Sequence, residues 1–167
     1  MKKFNEFLFE SLLLEVLDSN FTVNHHENEK DIINSYLGSK IHPAHTAVMS
    51  SDHMLKHKNK IVRLKNSNGE IEYHITHDEH MGKLPPEHRD TKSFLHALKI
   101  INDDSKFYLE NGNKIKLQAH NDEQHKVYQR LAKHLIKQHP NKTIKDAGKQ
   151  ERIDGEGLAN TLMIESE

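Results

Sequence analysis

Histidine is the residue whose abundance and spacing invite chemistry, at 15 of 167 residues. Imidazole ligates transition metals and exchanges protons near neutral pH. His74, His77, Asp78 and His80 stand close together in the chain. If a strand carries on through His77, then His74 and His77 point to opposite faces, because only i and i+2 share one. If a turn begins at Thr76 instead, His77, Asp78 and His80 converge as ligands for a metal ion. His42 and His45 form a second pair in a loop. His53 and His57, four residues apart on a helical turn, face one way. No glutamate follows His53, so the HExxH metalloprotease pattern is absent. His53 and His74 as acid and base, with Lys83 as a cation, would serve a small histidine-dependent nuclease. Tyr128 lies between Val127 and Leu131 on a helical stretch, the place of a core-edge aromatic with a wet hydroxyl.

The elements that must position these residues follow from apolar period. Residues 1–20 form an amphipathic helical pattern with Phe4, Phe7, Leu8, Leu12 and Leu14 near one face. Residues 21–29 are polar and read as a linker, and a short helix over 30–37 stops at Gly38. Residues 47–49 are a short apolar run, followed by a helical turn over 52–57. The clearest local signal is a pair of alternating runs, 61–64 and 71–75, flanking Asn68-Gly69. That dipeptide predicts a two-residue hairpin turn with positive φ angles. Helices are predicted over 93–102 and 122–139, the second ended by Pro140. A strand is predicted over 114–119 and a final one over 158–164, with 141–157 a loop. Helices interleaved with strands after an antiparallel hairpin predict a mixed α/β (α+β) fold. The division is a terminal helix over 1–20, a linker, and one domain over 30–167.

Composition sets limits on function. The chain is 34% hydrophobic and 29% charged, lean but periodic, which fits a small folded domain with polar margins. Lys plus Arg is 24 and Asp plus Glu 25, which excludes a strongly basic nucleic-acid binder. The absence of cysteine excludes disulfides, a thiol nucleophile and a thiolate zinc site. The longest apolar run, Leu12-Leu13-Leu14, is far too short to span a bilayer, so no membrane partner is expected.

Two stretches resemble known families. The first ten residues, MKKFNEFLFE, resemble the capsid-targeting peptide of internal head proteins in T-even-like tailed phages, through Met1, Lys2, Phe4, Glu6, Phe7, Leu8 and Glu10. In that family the prohead protease cuts after the Glu of a Leu/Ile-x-Glu triplet. Leu8-Phe9-Glu10 fits, and Leu13-Leu14-Glu15 is a second candidate. The resemblance implies a virion protein: made in the bacterial cytoplasm, delivered to the prohead core, trimmed, and held inside the head beside packaged DNA.

Residues 84–136 resemble the GNAT superfamily of N-acetyltransferases, best over KIKLQAHNDEQHKVYQRLAKHL. The family often has Asn-x-x-Ala-x-x-x-Tyr entering its last long helix. Asn121 and Tyr128 stand at that spacing, with Gln124 where Ala is usual. The resemblance implies a GNAT-like central sheet, with Tyr128 as general acid toward the departing coenzyme A thiolate. It also implies that Arg89, Lys92 and Asn121 would face the cofactor. In the family an Arg/Gln-x-x-Gly-x-Gly/Ala loop presents backbone amides to the pyrophosphate of acetyl-coenzyme A. Aligning Arg89 to its first position puts Lys92 and Phe94 where the two small residues belong. The expectation is therefore a non-catalytic GNAT-like body without a cofactor. An active acetyltransferase using acetyl-coenzyme A is the alternative, and the nuclease a second one.

Overall fold

Alternating apolar residues on either side of a turn must pair to bury one face, and that hairpin is the centre of the sheet. The structure is a computed structural model describing residues 2–77 and 90–166, with side chains from Phe9 onward. In it β3 (Asn59–Lys65) and β4 (Ile71–His77) pair antiparallel along their whole length, from Asn59 opposite His77 to Lys65 opposite Ile71. The turn between them departs from the expected two-residue type. Gly69 alone in it takes a positive φ, 82°, and its amide donates to the Asn66 carbonyl at 2.9 Å. The loop is thus three residues, 67–69, closed by a left-handed glycine. Asn66 sets this width, its Oδ1 accepting from the amides of Asn68 and Glu70, both at 3.0 Å.

Five more strands extend the sheet: β1 (Val23–His25), β2 (Ala47–Ser51), β5 (Ile115–Ala119), β6 (Lys142–Glu151) and β7 (Leu158–Ser166). The order is β1-β2-β3-β4-β5-β7-β6, and every neighbouring pair is antiparallel except β4–β5, which is parallel. The fold is therefore mixed α+β, a mostly antiparallel sheet with flanking helices. Two expectations fail. Residues 21–29, read as a linker, hold β1 and the start of α2 (Glu27–Leu37). Residues 141–157, read as a loop, hold β6. β6 is an edge strand, mostly exposed beyond Lys142, so it carries no apolar alternation to read.

The helices cover the two faces unequally. On one face α1 (Lys2–Leu17), α3 (Asp52–Lys56), α4 (Thr91–Glu110) and α5 (Asp122–Gln138) enclose the main core. That core joins Ile61, Ile71, Tyr73, Ile115 and Leu117 of the sheet to Leu98, Ile101, Leu131 and Leu135 of the helices. On the other face α2 lays Ile33 and Leu37 over Val48, Val62 and Leu64. α4 runs on past its expected end at Asn102, because Tyr108 and Leu109 continue its buried stripe. α1 docks through Leu13 and Leu17, with Phe9 and Val16 beside them, and not through Leu12 and Leu14, which are exposed.

The parallel β4–β5 ladder holds only Ile71 to Ile115 and Glu72 to Lys116. β4 runs on to His77 and β5 to Ala119, so the strands part toward their carboxyl ends. The carboxyl ends of open-sheet strands are where ligands bind in many α/β folds.

Candidate functional site

Two polar centres lie on the sheet, one on each of its sides. The first is built by helix capping. Ser51 ends β2 and caps α3, its Oγ accepting from the Met54 amide at 3.1 Å. The single turn of α3 then carries His53, and His57 follows at its C-cap. Asp90 caps α4, its Oδ2 accepting from the Ser93 amide and the Ser93 hydroxyl, both at 2.9 Å. His53 Nε2 lies 2.5 Å from that same oxygen, and His57 Nε2 3.7 Å from it. Burial pushes the Asp90 carboxyl up, but the bonds from His53 and Ser93 outweigh it and hold the pKa at about 2. His96 backs the cluster. Its ring stacks on Phe21 at 4.3 Å, lies 5.5 Å from that of His53, and its Nδ1 meets Ser51 Oγ at 2.8 Å. Burial, then the charges of His53 and Lys92, push the His96 imidazole pKa down.

The second centre is on the opposite face, set by strand alternation. Glu72 and His74 stand across from Leu64 and Val62, which places them beside the α2-covered cluster. Lys116 is in register with Glu72. All three are buried, with Gln118 next along β5. Asn66 Nδ2 donates to Glu72 Oε2 at 2.9 Å, and His74 Nε2 lies 3.3 Å from Glu72 Oε1. Burial pushes the Glu72 carboxyl up, yet His74, Lys116 and Asn66 together hold it below the ordinary carboxylate value. Gln118 Oε1, beside them, is buried without a hydrogen-bond partner, which marks a place where a polar group is favoured. The hairpin of β6 and β7 borders this face. Gln118 Nε2 donates to Thr161 Oγ1 at 3.2 Å, and Ile153 packs against the α2 cluster.

The residues singled out from sequence are scattered over this frame. His74 and His77 are both on β4 and so point to opposite faces, while Asp78 and His80 lie outside the described residues. His53 joins the capping centre and His74 the other face; their proposed partner Lys83, like Arg89, lies outside the described residues. His42 is exposed, and His45 offers its carbonyl to Arg63 Nε at 3.0 Å. Lys92 is exposed in the first turn of α4. Asn121 caps α5, accepting from the Gln124 amide at 2.8 Å. Tyr128 is 2% exposed rather than wet at its hydroxyl, which accepts from Gln124 Nε2 at 3.3 Å. Burial pushes its phenol well above the ordinary value. Leu8 lies where side chains are not described, Glu10 and Glu15 are exposed, and Leu13 is buried.

Sequence reasoning missed Asp90 and Glu72. Asp90 had a signal, an acidic residue three before Ser93 at a helix start, the N-cap pattern. Glu72 had one too: it alternates with Ile71 and Tyr73 onto the face that carries His74. No protein-family model, curated protein or solved structure matches the chain.

Proposed function

We propose that this chain is an internal head protein of a tailed phage. Its N-terminal residues carry it into the prohead core, the prohead protease trims it there, and its GNAT-like body stays folded as a non-catalytic cargo domain. The observation that carries the reading is where α1 docks. The buried anchors Leu13 and Leu17 lie beyond Glu10, which is exposed. A cut after Leu8-Phe9-Glu10 removes the targeting residues, with partly buried Phe9, and leaves both buried anchors in place. A cut after Glu15 would strip Leu13 from the core. The docking of α1 supports the first triplet as the processing site.

The body supports the GNAT-like part of the proposal by its order of elements. β4, α4, β5 and α5 follow one another as the resemblance requires, with Asn121 opening α5 and Tyr128 two turns in. It supports the non-catalytic part through Asp90, whose carboxylate already takes the Ser93 amide at the start of α4. A pyrophosphate there would meet a like charge. Acetyl transfer is the second reading, favoured by the parting of β4 and β5 beside buried Glu72 and His74.

The test is processing. Co-expressed with its cognate prohead protease, the chain should begin at Ser11, and Glu10→Ala should block the cut. Intact mass from mature particles that shows Met1 retained would overturn the proposal.

A further inference from the structure

The capping centre has a geometry that a hydrogen-bonded pair alone does not need. A charge-assisted bond between His53 and Asp90 accounts for two of the groups. It does not account for His57, whose Nε2 approaches the same carboxylate oxygen from the other end of the α3 turn. One nitrogen from each histidine and one oxygen of Asp90 all lie within 4.8 Å of one another. We propose that His53, His57 and Asp90 form a binding site for one divalent transition-metal ion, of which zinc is the type.

The distances are close to those that a metal ion would bridge. Zinc bonds to nitrogen and oxygen are about 2.0–2.2 Å, so ligand atoms of a tetrahedral site stand about 3.3 Å apart. The two measured separations, 2.5 Å for His53 and 3.7 Å for His57, straddle that value. An ion drawn between them opens one by less than 1 Å and closes the other by less, within the reach of side-chain torsions. The i, i+4 spacing brings both imidazoles from one turn, and imidazole with carboxylate is a donor set suited to zinc. Ser93 supplies the outer support that ligating carboxylates have, holding Asp90 Oδ2 by its amide and its hydroxyl. With 41% of its side chain exposed, His57 borders solvent, from which water would supply a fourth ligand. The ion would tie α3 to the start of α4, at the end of the sheet where β2 and β4 run out.

Fifteen histidines guarantee some weak capture of metal, so the test must separate one site from the rest. The full chain, stripped with chelator, is titrated with cobalt(II) by visible absorption and with zinc by calorimetry. The expected result is one tight site per chain with a tetrahedral cobalt spectrum. Zinc at about a hundredfold over Kd should raise Tm by roughly 5–10 °C. His57→Gln, at a solvent-bordering position, and Asp90→Asn, which keeps a cap on α4, should each weaken the site by at least about tenfold. His42→Gln, at an exposed histidine, should change nothing. If both ligand variants bind as the parent does, or if the parent shows only many weak sites, the proposal is wrong.

Discussion

Asp104 shows how one residue can hold two layers together. From α4 its carboxylate accepts from Arg63 Nη1 of β3 at 2.7 Å and from the Tyr73 hydroxyl of β4 at 2.6 Å. Arg63 also lies 5.1 Å from the Tyr108 ring centroid. Asp104→Ala would leave Arg63 Nη1 and the Tyr73 phenol without their acceptor in a largely buried place, a loss of about 3 kcal/mol. Asp104→Asn keeps one acceptor and should lose less. Urea unfolding measures both; a loss below about 0.5 kcal/mol for Ala would mean that water replaces the carboxylate freely. Acid should act on other residues. Burial first, then nearby cations, lowers the pKa of His26 (beside Lys60), His45 (beside Lys65 and Arg63) and His134 (beside Lys106). Glu29 and Asp18 oppose the shift at His26 and His134 without reversing it. The folded chain therefore binds fewer protons than the unfolded one just below pH 6.5, so stability is full above that value and falls as pH drops through it. Tm at pH 5 should lie below Tm at pH 7.5, and His134→Gln should narrow the gap. An unchanged Tm across that range would refute the assignment.

Among the elements, α1 is where stability and the proposed processing meet. A chain starting at Ser11 keeps Leu13 and Leu17, which are 2% and 6% exposed, and should unfold close to the full-length chain. A chain starting at Val16 loses Leu13, and Leu13→Ala should show the same cost in isolation, about 2–4 kcal/mol. Equal stability of the two truncations would show that α1 does not anchor through Leu13. The sequence was legible where period and burial agree. The runs flanking Asn68-Gly69, the stripe of α5 and the alternating β5 each became the element their pattern predicts, since each carries an apolar face that packs into the core. β1 and β6 were illegible because edge strands can be satisfied by backbone pairing with polar side chains. The face of α1 was misplaced because Leu12, Leu13 and Leu14 are adjacent, and only the packing on α4 selects Leu13. Half of the capping centre was legible too. His53 and His57 share a face by spacing alone, whereas Asp90 joins them only through the approach of α3 to α4, which no local pattern encodes.

At the scale of the whole molecule, the sheet and its helix ends decide whether a nucleotide-bearing cofactor can be held. A pyrophosphate needs free amides at a helix start and room for close approach of backbone. At the start of α4 the Ser93 amide and hydroxyl already serve Asp90, whose carboxylate stays ionised far below neutral pH. Lys92 is exposed in that turn and supplies charge without a shaped cradle. Losing two charge-assisted bonds of roughly 1.5–3 kcal/mol each weakens binding by on the order of a hundredfold or more. Tyr128 cannot make up the difference, because its hydroxyl is buried and hydrogen-bonded to Gln124. Calorimetric titration of the full chain, stripped of metal with chelator, with acetyl-coenzyme A at micromolar concentrations should therefore be flat. Asp90→Asn, which removes the charge but keeps the cap, should gain weak binding if the like charge is the obstacle. A saturable isotherm in the unmodified chain, weakened by Arg89→Ala, would make acetyl transfer the function of this sheet and overturn the non-catalytic reading of the body.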